Sequence, residues 1–464
     1  MNRSVRTRKR AVAPSARRAG VLGLACLLSV AVAGAVAAQQ VGRIQYETYT
    51  IPNGLTVILS EEHSTPVVAV DVWYHVGSAS ERVRRSGFAH LFEHMMFQGS
   101  ANVRKSEHVQ LVQRAGGSMN GSTNEDRTNY FETLPSNRLN LGLWLEADRM
   151  RSLAITHGNF ENQRSTVQEE RRLGVDNQPY AKGFLAAQTA PFDSAGCFAY
   201  AHTVIGDMTD LESALVEDVQ AFFNQYYTPN NAVLTVAGDF DPAEARRLIQ
   251  QYYGDLPRAA DPPPVRCEVR YGAGARRMEV ADSNANLPAV ALAYAVPASS
   301  HADGPALEML SSILGNGESS RLNRRLVREE RAAMQAAAAA DLRRVAGVMF
   351  LFALPNQGVD VSRIERLLVE ESDRLRNDSI PLAELRKAQN QYRAATVRQR
   401  QTAMGVAEAL QGALWYDGSL DAVNQDVQRR LAVTPEDLRR VAQRYLTPEN
   451  RLTVVINPVA RGGN

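Results

Sequence analysis

The stretch SGFAHLFEHMMFQG, residues 86–99, decides the fold prediction, because it sets three polar groups inside an otherwise apolar run. His90 and His94 lie four residues apart, and Glu93 lies between them. On a helix, positions i, i+3 and i+4 share one face, so both imidazoles and the carboxylate can point to the same spot. The apolar residues around them predict a buried helix, and buried ionisable groups are costly unless they are paired or bind a metal. The pattern therefore predicts a metal site.

The predicted helix begins after Ser86, which has the side chain of an N-cap, and ends at Gly99 about three turns later. The order of its polar residues, H-x-x-E-H, is the inverted zinc-peptidase motif. A catalytic zinc site usually has three protein ligands and one open position. A third donor must therefore come from elsewhere in the chain.

The best candidate for the third ligand lies on a second predicted helix, residues 160–174. Glu169 and Glu170 compete for the role. Glu170 is three residues from the apolar Val167 and three from Leu173, which places it on the core-facing stripe, whereas Glu169 points about a hundred degrees away. We therefore favour Glu170. Without the histidine motif, the two acids would be interpreted as part of a solvated charged face.

The net charge excludes some functions. The chain has 464 residues, 44% hydrophobic and 22% charged, which is ordinary for a soluble globular protein, and its formal charge is +2. Seven basic residues crowd the extreme N-terminus: Arg3, Arg6, Arg8, Lys9, Arg10, Arg17 and Arg18. The rest is mildly acidic, so nothing indicates a nucleic-acid partner.

Residues 1–37 are predicted to be a signal peptide. The basic start is followed by an apolar run from 19 to 36 and by a small-residue cleavage site at 35–37. We therefore expect an exported protein, periplasmic or secreted. Residues 19–38 are also long enough to remain as a membrane anchor, residues 24–26 resemble a lipoprotein site, and Arg17-Arg18 leaves Sec and twin-arginine export both open.

Three cysteines bear on the compartment and on the metal. Cys26 lies in the signal, which leaves Cys197 and Cys267 in an oxidising compartment where a disulfide is permitted. Whether the two pair is left open. Two cysteines are too few for a four-sulfur zinc site, so zinc must be bound mainly by His and carboxylate ligands.

A repeat divides the chain into two copies of one domain. The segment QYYTPNN, residues 225–231, recurs as RYLTPEN, residues 444–450, at an offset of 447 minus 228, or 219 positions. The predicted class is α+β: two duplicated domains, each a mixed β-sheet with helices packed on one face, enclosing a chamber. We expect a catalytic zinc-binding domain at 41–256, a proline-rich linker at 257–266 and a duplicated domain without metal at 267–464.

The second copy carries no counterpart of the histidines. Residues 304–314, GPALEMLSSIL, occupy the place of the metal helix and contain no histidine. One copy is therefore expected to hold the chemistry, while the other forms a wall or clamp.

The chain resembles the insulinase and pitrilysin family of inverted-motif zinc peptidases, and within it the short bacterial members related to mitochondrial processing peptidase. The resemblance rests on residues 90–94, HLFEH, on 167–172, VQEERR, on 176–180, DNQPY, and on the duplication. It implies that His90, His94 and Glu170 bind Zn²⁺ and that Glu93 activates water.

A polar stretch, residues 117–130, is similar to the family's substrate-holding edge strand. The resemblance implies that Asn120, Gly121, Ser122 and Tyr130 contact an extended peptide. A plain polar hairpin remains the alternative.

One departure from the family concerns the second domain. Members that act alone resemble each other in carrying an arginine and, seven residues on, a tyrosine there, and the matching positions here are Val327 and Met334. Neither side chain donates a hydrogen bond. The resemblance implies a partner, either a related subunit without metal that supplies arginine and tyrosine, or a second copy of this chain. Arg328 could substitute through a local shift.

The sequence thus predicts a zinc metalloendopeptidase that hydrolyses peptide bonds in unfolded peptides. The alternative is a peptide-binding or assembly subunit of the same fold without turnover.

Overall fold

The computed structural model describes residues 41–272 and 274–459, which form two mixed β-sheets covered by helices. The strands are β1 (Glu47–Thr50), β2 (Thr56–Glu61), β3 (Val67–Tyr74), β4 (Ser118–Thr123), β5 (Thr128–Pro135), β6 (Ala232–Gly238), β7 (Arg276–Asp282), β8 (Ala289–Pro297), β9 (Ala333–Leu342), β10 (Ala346–Pro355) and β11 (Arg451–Pro458).

The helices lie mostly between the strands. They are α1 (Phe88–Met95), α2 (Glu107–Arg114), α3 (Leu139–Ser152), α4 (His157–Arg171), α5 (Ala181–Thr189), α6 (Met208–Glu212), α7 (Val216–Tyr226), α8 (Pro242–Tyr253), α9 (Gly304–Gly315), α10 (Val361–Asn377), α11 (Leu382–Gln399), α12 (Ala403–Tyr416), α13 (Ala422–Leu431) and α14 (Pro435–Tyr445). No helix in the described ranges is long and apolar enough to cross a membrane.

The strand orders confirm the duplication. The first sheet has the order β1-β2-β6-β3-β5-β4 and the second the order β7-β11-β8-β10-β9. In each sheet one pair is parallel, β2 with β6 and β7 with β11, and every other pair is antiparallel. Each strand of the second sheet therefore has a counterpart in the first, which gains β1. The α+β class with two duplicated mixed sheets is confirmed.

The sequence repeat marks the same helix, turn and strand in both halves. It leads from α7 into β6 in the first half and from α14 into β11 in the second. Asn231 donates from Nδ2 to the carbonyl oxygen of Tyr226 at 2.8 Å, and Asn450 donates to that of Tyr445 at the same distance. The repeated asparagine thus ties down the last turn of the preceding helix in each copy.

Each half also sends one helix onto the sheet of the other. Helix α5 packs on β8 and β11 of the second sheet, and α12 packs on β3 and β6 of the first. On α5, a Cβ added at Gly183 would lie 2.2 Å from Ile456 Cγ1, so only glycine permits this approach. On α12, Gln411 donates from Nε2 to the carbonyl oxygen of Val233 at 2.9 Å. The two halves are therefore interlocked, and the described residues from 42 to 459 belong to a single compact unit.

The connection between the halves contains no helix or strand from residue 257 to 270. Cys267, at its end, forms a disulfide with Cys197, which settles the pairing that the sequence left open. The predicted signal peptide, residues 1–37, lies outside the described residues.

Candidate metal centre

Helix α1 carries His90, Glu93 and His94 and is shorter than expected. It ends at Met95 instead of Gly99. The prediction that Ser86 caps it is wrong, because Gly87 directly precedes the helix and the Ser86 hydroxyl oxygen accepts the N–H of Asp207 at 2.9 Å instead. The carboxylate of Glu81 instead accepts the N–H groups at the start of the helix.

The third predicted ligand lies on α4, which packs against α1. Glu170 points towards α1, whereas the exposed Glu169 is paired with Arg172 at 3.2 Å. The periodicity argument for Glu170 was only half right. Val167 is fully buried, but Leu173 is 61% exposed, because α4 ends at Arg171 and the chain continues in a wider, π-helical turn, Arg172–Asp176.

The structure brings the three predicted ligands together. Glu170 Oε2 lies 3.7 Å from His90 Nε2 and 3.3 Å from His94 Nε2. Zinc–ligand bonds of about 2.1 Å in tetrahedral geometry place two ligand atoms about 3.4 Å apart. Burial, helped by the neighbouring His94, lowers the pKa of His90 to about 4, so its imidazole is neutral at neutral pH, as a metal ligand must be. Two imidazoles and one carboxylate thus fit a zinc ion in charge, spacing and chemistry.

Glu93 lines the same cavity as His90 and Glu170, and it accepts a hydrogen bond from Thr123, which was not among the predicted site residues. The Thr123 hydroxyl, at the end of β4, donates to Glu93 Oε2 at 2.6 Å. Burial raises the pKa of Glu93 above its ordinary value, while the Thr123 hydrogen bond opposes the rise. The result is a partly desolvated carboxylate that accepts a proton more readily than one in water.

A cavity of about 450 Å³ opens beside these residues. Gly121, Ser122 and Thr123 of β4 form one wall, and Val175, Leu185, Val204 and Ile205 supply apolar surface. Strand β4 is the end strand of the first sheet, so its outer edge pairs with no other described strand. The stretch 117–130 therefore forms a hairpin, as the alternative had it, and the first strand of that hairpin is a sheet edge. Its contact with a substrate stays a prediction.

The residues predicted to contact substrate divide into two groups. Asn120 is exposed, while Gly121 and Ser122 are half-buried on β4. The prediction that Tyr130 contacts substrate is wrong, because its side chain is fully buried and its ring centroid lies 4.4 Å from the Arg149 guanidinium. Tyr130 supports the strand from the core and cannot touch a peptide that lies along β4.

The positions that depart from the family do not supply polar groups. Val327 packs against the core of the second half, and Met334 is 58% exposed at the start of β9. Arg328 is exposed and bonds with Glu318. The guanidinium of Arg328 is therefore already engaged in a local ion pair.

A second buried cluster of possible ligands was not foreseen from the sequence. His108, Glu132 and Glu146 converge in the core of the first half, together with Arg149. His108 Nε2 lies 2.6 Å from Glu132 Oε1, a hydrogen-bond distance too short for two ligands of one metal, and Arg149 donates from Nε to Glu146 Oε2 at 2.9 Å. Burial raises the pKa of Glu132 to about 7 and that of Glu146 to about 8. A shared proton and the Arg149 guanidinium therefore balance the charges of Glu132 and Glu146 without a metal. We assign this cluster a structural role in the core.

These features define a two-domain metallopeptidase fold with an inverted histidine motif on its first half. A family model described as insulinase (peptidase family M16) matches residues 56–191, and one described as peptidase M16 inactive domain matches residues 214–392. The latter covers α9, which lacks histidine.

Known proteins extend this similarity over nearly the whole chain. The zinc protease PqqE of Helicobacter pylori is 32% identical over 443 residues, which cover 94% of this chain and 98% of the relative. A solved protease structure from Helicobacter pylori matches with a TM-score of 0.84 at 31% identity, covering 89% of this chain and 100% of that one. The mitochondrial-processing peptidase subunit beta of Blastocladiella emersonii is 27% identical over 210 residues, 45% of this chain and 44% of the relative. The chain belongs to the insulinase family, peptidase family M16.

Proposed function

We propose that this chain is a zinc metalloendopeptidase that cleaves unfolded peptides. The observation that carries the proposal is the approach of His90 Nε2 and His94 Nε2 to one oxygen of Glu170, at 3.7 and 3.3 Å. Burial lowers the pKa of His90 to about 4, so its imidazole is uncharged at neutral pH and does not form an ion pair with the exposed carboxylate of Glu170. The two imidazoles and the carboxylate therefore need another reason to lie this close together. They are the donor set that zinc takes in hydrolytic sites.

The roles of the residues follow from their positions. A bound Zn²⁺ supplies Lewis acidity, which polarises a carbonyl group and lowers the pKa of water to about 7. His90, His94 and Glu170 would hold the ion. Glu93 accepts a proton from the attacking water and returns it to the leaving amine nitrogen, while Thr123 holds Glu93 Oε2.

The substrate is proposed to lie along β4 as an added strand. The backbone of residues 120–122 would pair with the peptide, since β5 occupies only the inner edge of β4. Main-chain hydrogen bonds fix the geometry of a peptide and demand little of its side chains. We therefore expect broad specificity among unfolded peptides and little cleavage of folded proteins.

Removing the metal tests the proposal. The purified chain is expected to contain one zinc per molecule and to cleave a fluorogenic peptide, to lose that cleavage after chelation, and to regain it when zinc is added. Metal analysis and the peptide assay measure both quantities on the same sample. If the chain binds one equivalent of zinc but cleaves no peptide, either alone or mixed with a partner subunit, the alternative of a peptide-binding subunit without turnover is supported. Cleavage that survives complete removal of the metal would reject the mechanism.

The partner is proposed to be a related subunit without metal that supplies arginine and tyrosine. Val327 and Met334 cannot donate hydrogen bonds, and a relative of this chain is by its name the beta subunit of a processing peptidase. We expect weak cleavage by the chain alone and a rise of at least tenfold when a family member bearing the two residues is added. The same subunit with both residues replaced by alanine is the control. Full activity of a monomeric chain alone would remove the need for a partner.

We also propose the export and the domain division that the sequence predicts. Residues 1–37 would direct the chain to the periplasm or outside the cell, where the Cys197–Cys267 disulfide is stable. Residues 41–256 would form the metal-binding half, 257–266 the linker, and 267–464 the half without metal.

A further inference from the structure

A fully buried carboxylate holds the start of the metal-binding helix. Glu81 has no exposed side-chain surface, and its two oxygens accept the N–H groups of Gly87 at 2.9 Å and of Ala89 at 2.8 Å. These amides lie at the first turn of α1, where a helix leaves N–H groups without partners and favours negative charge. Ala89 directly precedes His90, so the carboxylate fixes the backbone one residue from a metal ligand.

The same carboxylate is paired with His202, which is almost as buried. His202 Nδ1 lies 2.6 Å from the carbonyl oxygen of Phe198, and Nε2 lies 3.1 Å from that of Ser78 and 3.0 Å from Glu81 Oε2. Carbonyl oxygens only accept hydrogen bonds, so the contact with Phe198 requires hydrogen on Nδ1 and the contact with Ser78 favours hydrogen on Nε2. A neutral ring whose Nε2 accepted a hydrogen bond from a protonated Glu81 would turn its Nε2 lone pair towards the Ser78 oxygen as well. The contacts therefore favour an imidazolium paired with a carboxylate.

The electrostatic surroundings agree with this state. Burial alone would lower the pKa of His202, but the hydrogen bond and the charge of Glu81 raise it above its ordinary value. The other charged groups that line the small cavities beside the pair are Arg82, Arg85 and Asp218 on the Glu81 side and Arg171, Lys182 and Asp207 on the His202 side. Of these, Arg85 pairs with Asp218 at 3.2 Å, and Arg171 approaches Asp207 at 3.8 Å. Lys182 pairs with Asp176 at 3.3 Å, whereas His202 Nε2 lies 3.0 Å from Glu81 Oε2. Burial raises the pKa of Glu81, and the hydrogen bond and charge of His202 oppose that rise.

We propose that Glu81 and a doubly protonated His202 are a positioning pair that sets the orientation of α1, and with it the approach of His90 and His94 to Glu170. The role rests on the proposed metal site, and neither residue touches the reacting atoms. Helix α1 has only eight residues and no side-chain cap from the residue before it, so its own hydrogen bonds are a weak anchor. Without the pair, the two imidazoles would be less well aligned for a shared ion.

Zinc affinity tests the positioning role. Groups that orient metal ligands without touching the metal typically contribute about 10–100-fold in metal affinity. Replacing His202 by Phe in the full chain should therefore weaken Zn²⁺ binding by about that factor, as measured by chelator competition. His157, exposed at the start of α4, is the matched control, and His157→Phe should bind zinc as the unaltered chain does. Equal affinity of the two variants would overturn the positioning role.

Histidine NMR tests the pair even where His202→Phe fails to fold. In the zinc-loaded chain with ¹⁵N-labelled histidines, His202 should show both ring N–H groups at pH 7, and Glu81→Gln should remove that signature. A neutral His202 ring in the unaltered chain would overturn the ion pair. Failure of the unaltered chain to bind zinc would overturn the proposed function and the positioning role with it, whereas zinc binding with a neutral His202 would overturn the pair alone.

Discussion

Replacing Glu93 by Gln is expected to lower kcat by about 10²–10⁴-fold, the usual contribution of a general acid–base group, while one zinc per chain is retained. The amide keeps the size of the side chain and can still accept the hydrogen bond that Thr123 donates to Oε2. It cannot accept and return a proton. Peptide cleavage and metal content, measured on the same preparation, separate the chemical step from metal binding.

Glu217 provides the control for this substitution, because it lies exposed on α7. Glu217→Gln should leave both quantities unchanged. Cleavage by Glu93→Gln at the rate of the unaltered chain would reject Glu93 as the proton acceptor. Loss of zinc from Glu93→Gln would instead mean that this carboxylate is itself a ligand.

The second large effect is expected at Glu170. Glu170→Gln should weaken zinc binding by more than the 10–100-fold typical of outer-shell groups, because it removes the only anionic donor among the three proposed ligands. Cleavage should fall in parallel and recover in part at high zinc concentration. Chelator competition gives the affinity, and the peptide assay gives the recovery.

The neighbouring residue is a close control. Glu169→Gln makes the same change one position earlier on α4, where the carboxylate pairs with Arg172 at 3.2 Å, and it should bind zinc normally. Glu125 lines the same cavity, but it is engaged with Arg343 at 3.0 Å and is not expected to replace Glu170. If Glu169→Gln lost zinc and Glu170→Gln did not, the assignment of the third ligand would be reversed.

The sequence predicted that His90, Glu93 and His94 lie together because that information is local. Two histidines and a glutamate at helical spacing share a face wherever the helix lies. Glu170 was harder, since the stripe that selected it relied on Leu173, which lies in the wider turn after α4 and is exposed. Of the two apolar neighbours on which the choice of Glu170 was based, only Val167 is buried, and the family resemblance agrees with that choice independently.

The pair that holds α1 could not be read from local patterns. Glu81 lies six residues before Gly87, whose N–H it accepts, and His202 lies 121 positions after Glu81. Neither lies at a helical or strand spacing from the residues it supports. The repeat revealed the duplicated sheets, but the exchange of α5 and α12 depends on tertiary packing that no periodicity records.

The exchange has a mechanical consequence for the third ligand. After Glu170, the chain passes through the turn Arg172–Asp176 into α5, which rests on the other half, and Tyr180 donates its N–H to Asp282 Oδ2 at 2.7 Å. The segment that follows Glu170 is thus fixed to the half without these histidines, while α4 itself packs against α1 in the first half. A rotation of one half against the other would therefore pull the Glu170 carboxylate away from the two imidazoles, so the affinity of the proposed metal site would depend on how firmly the two halves are held together.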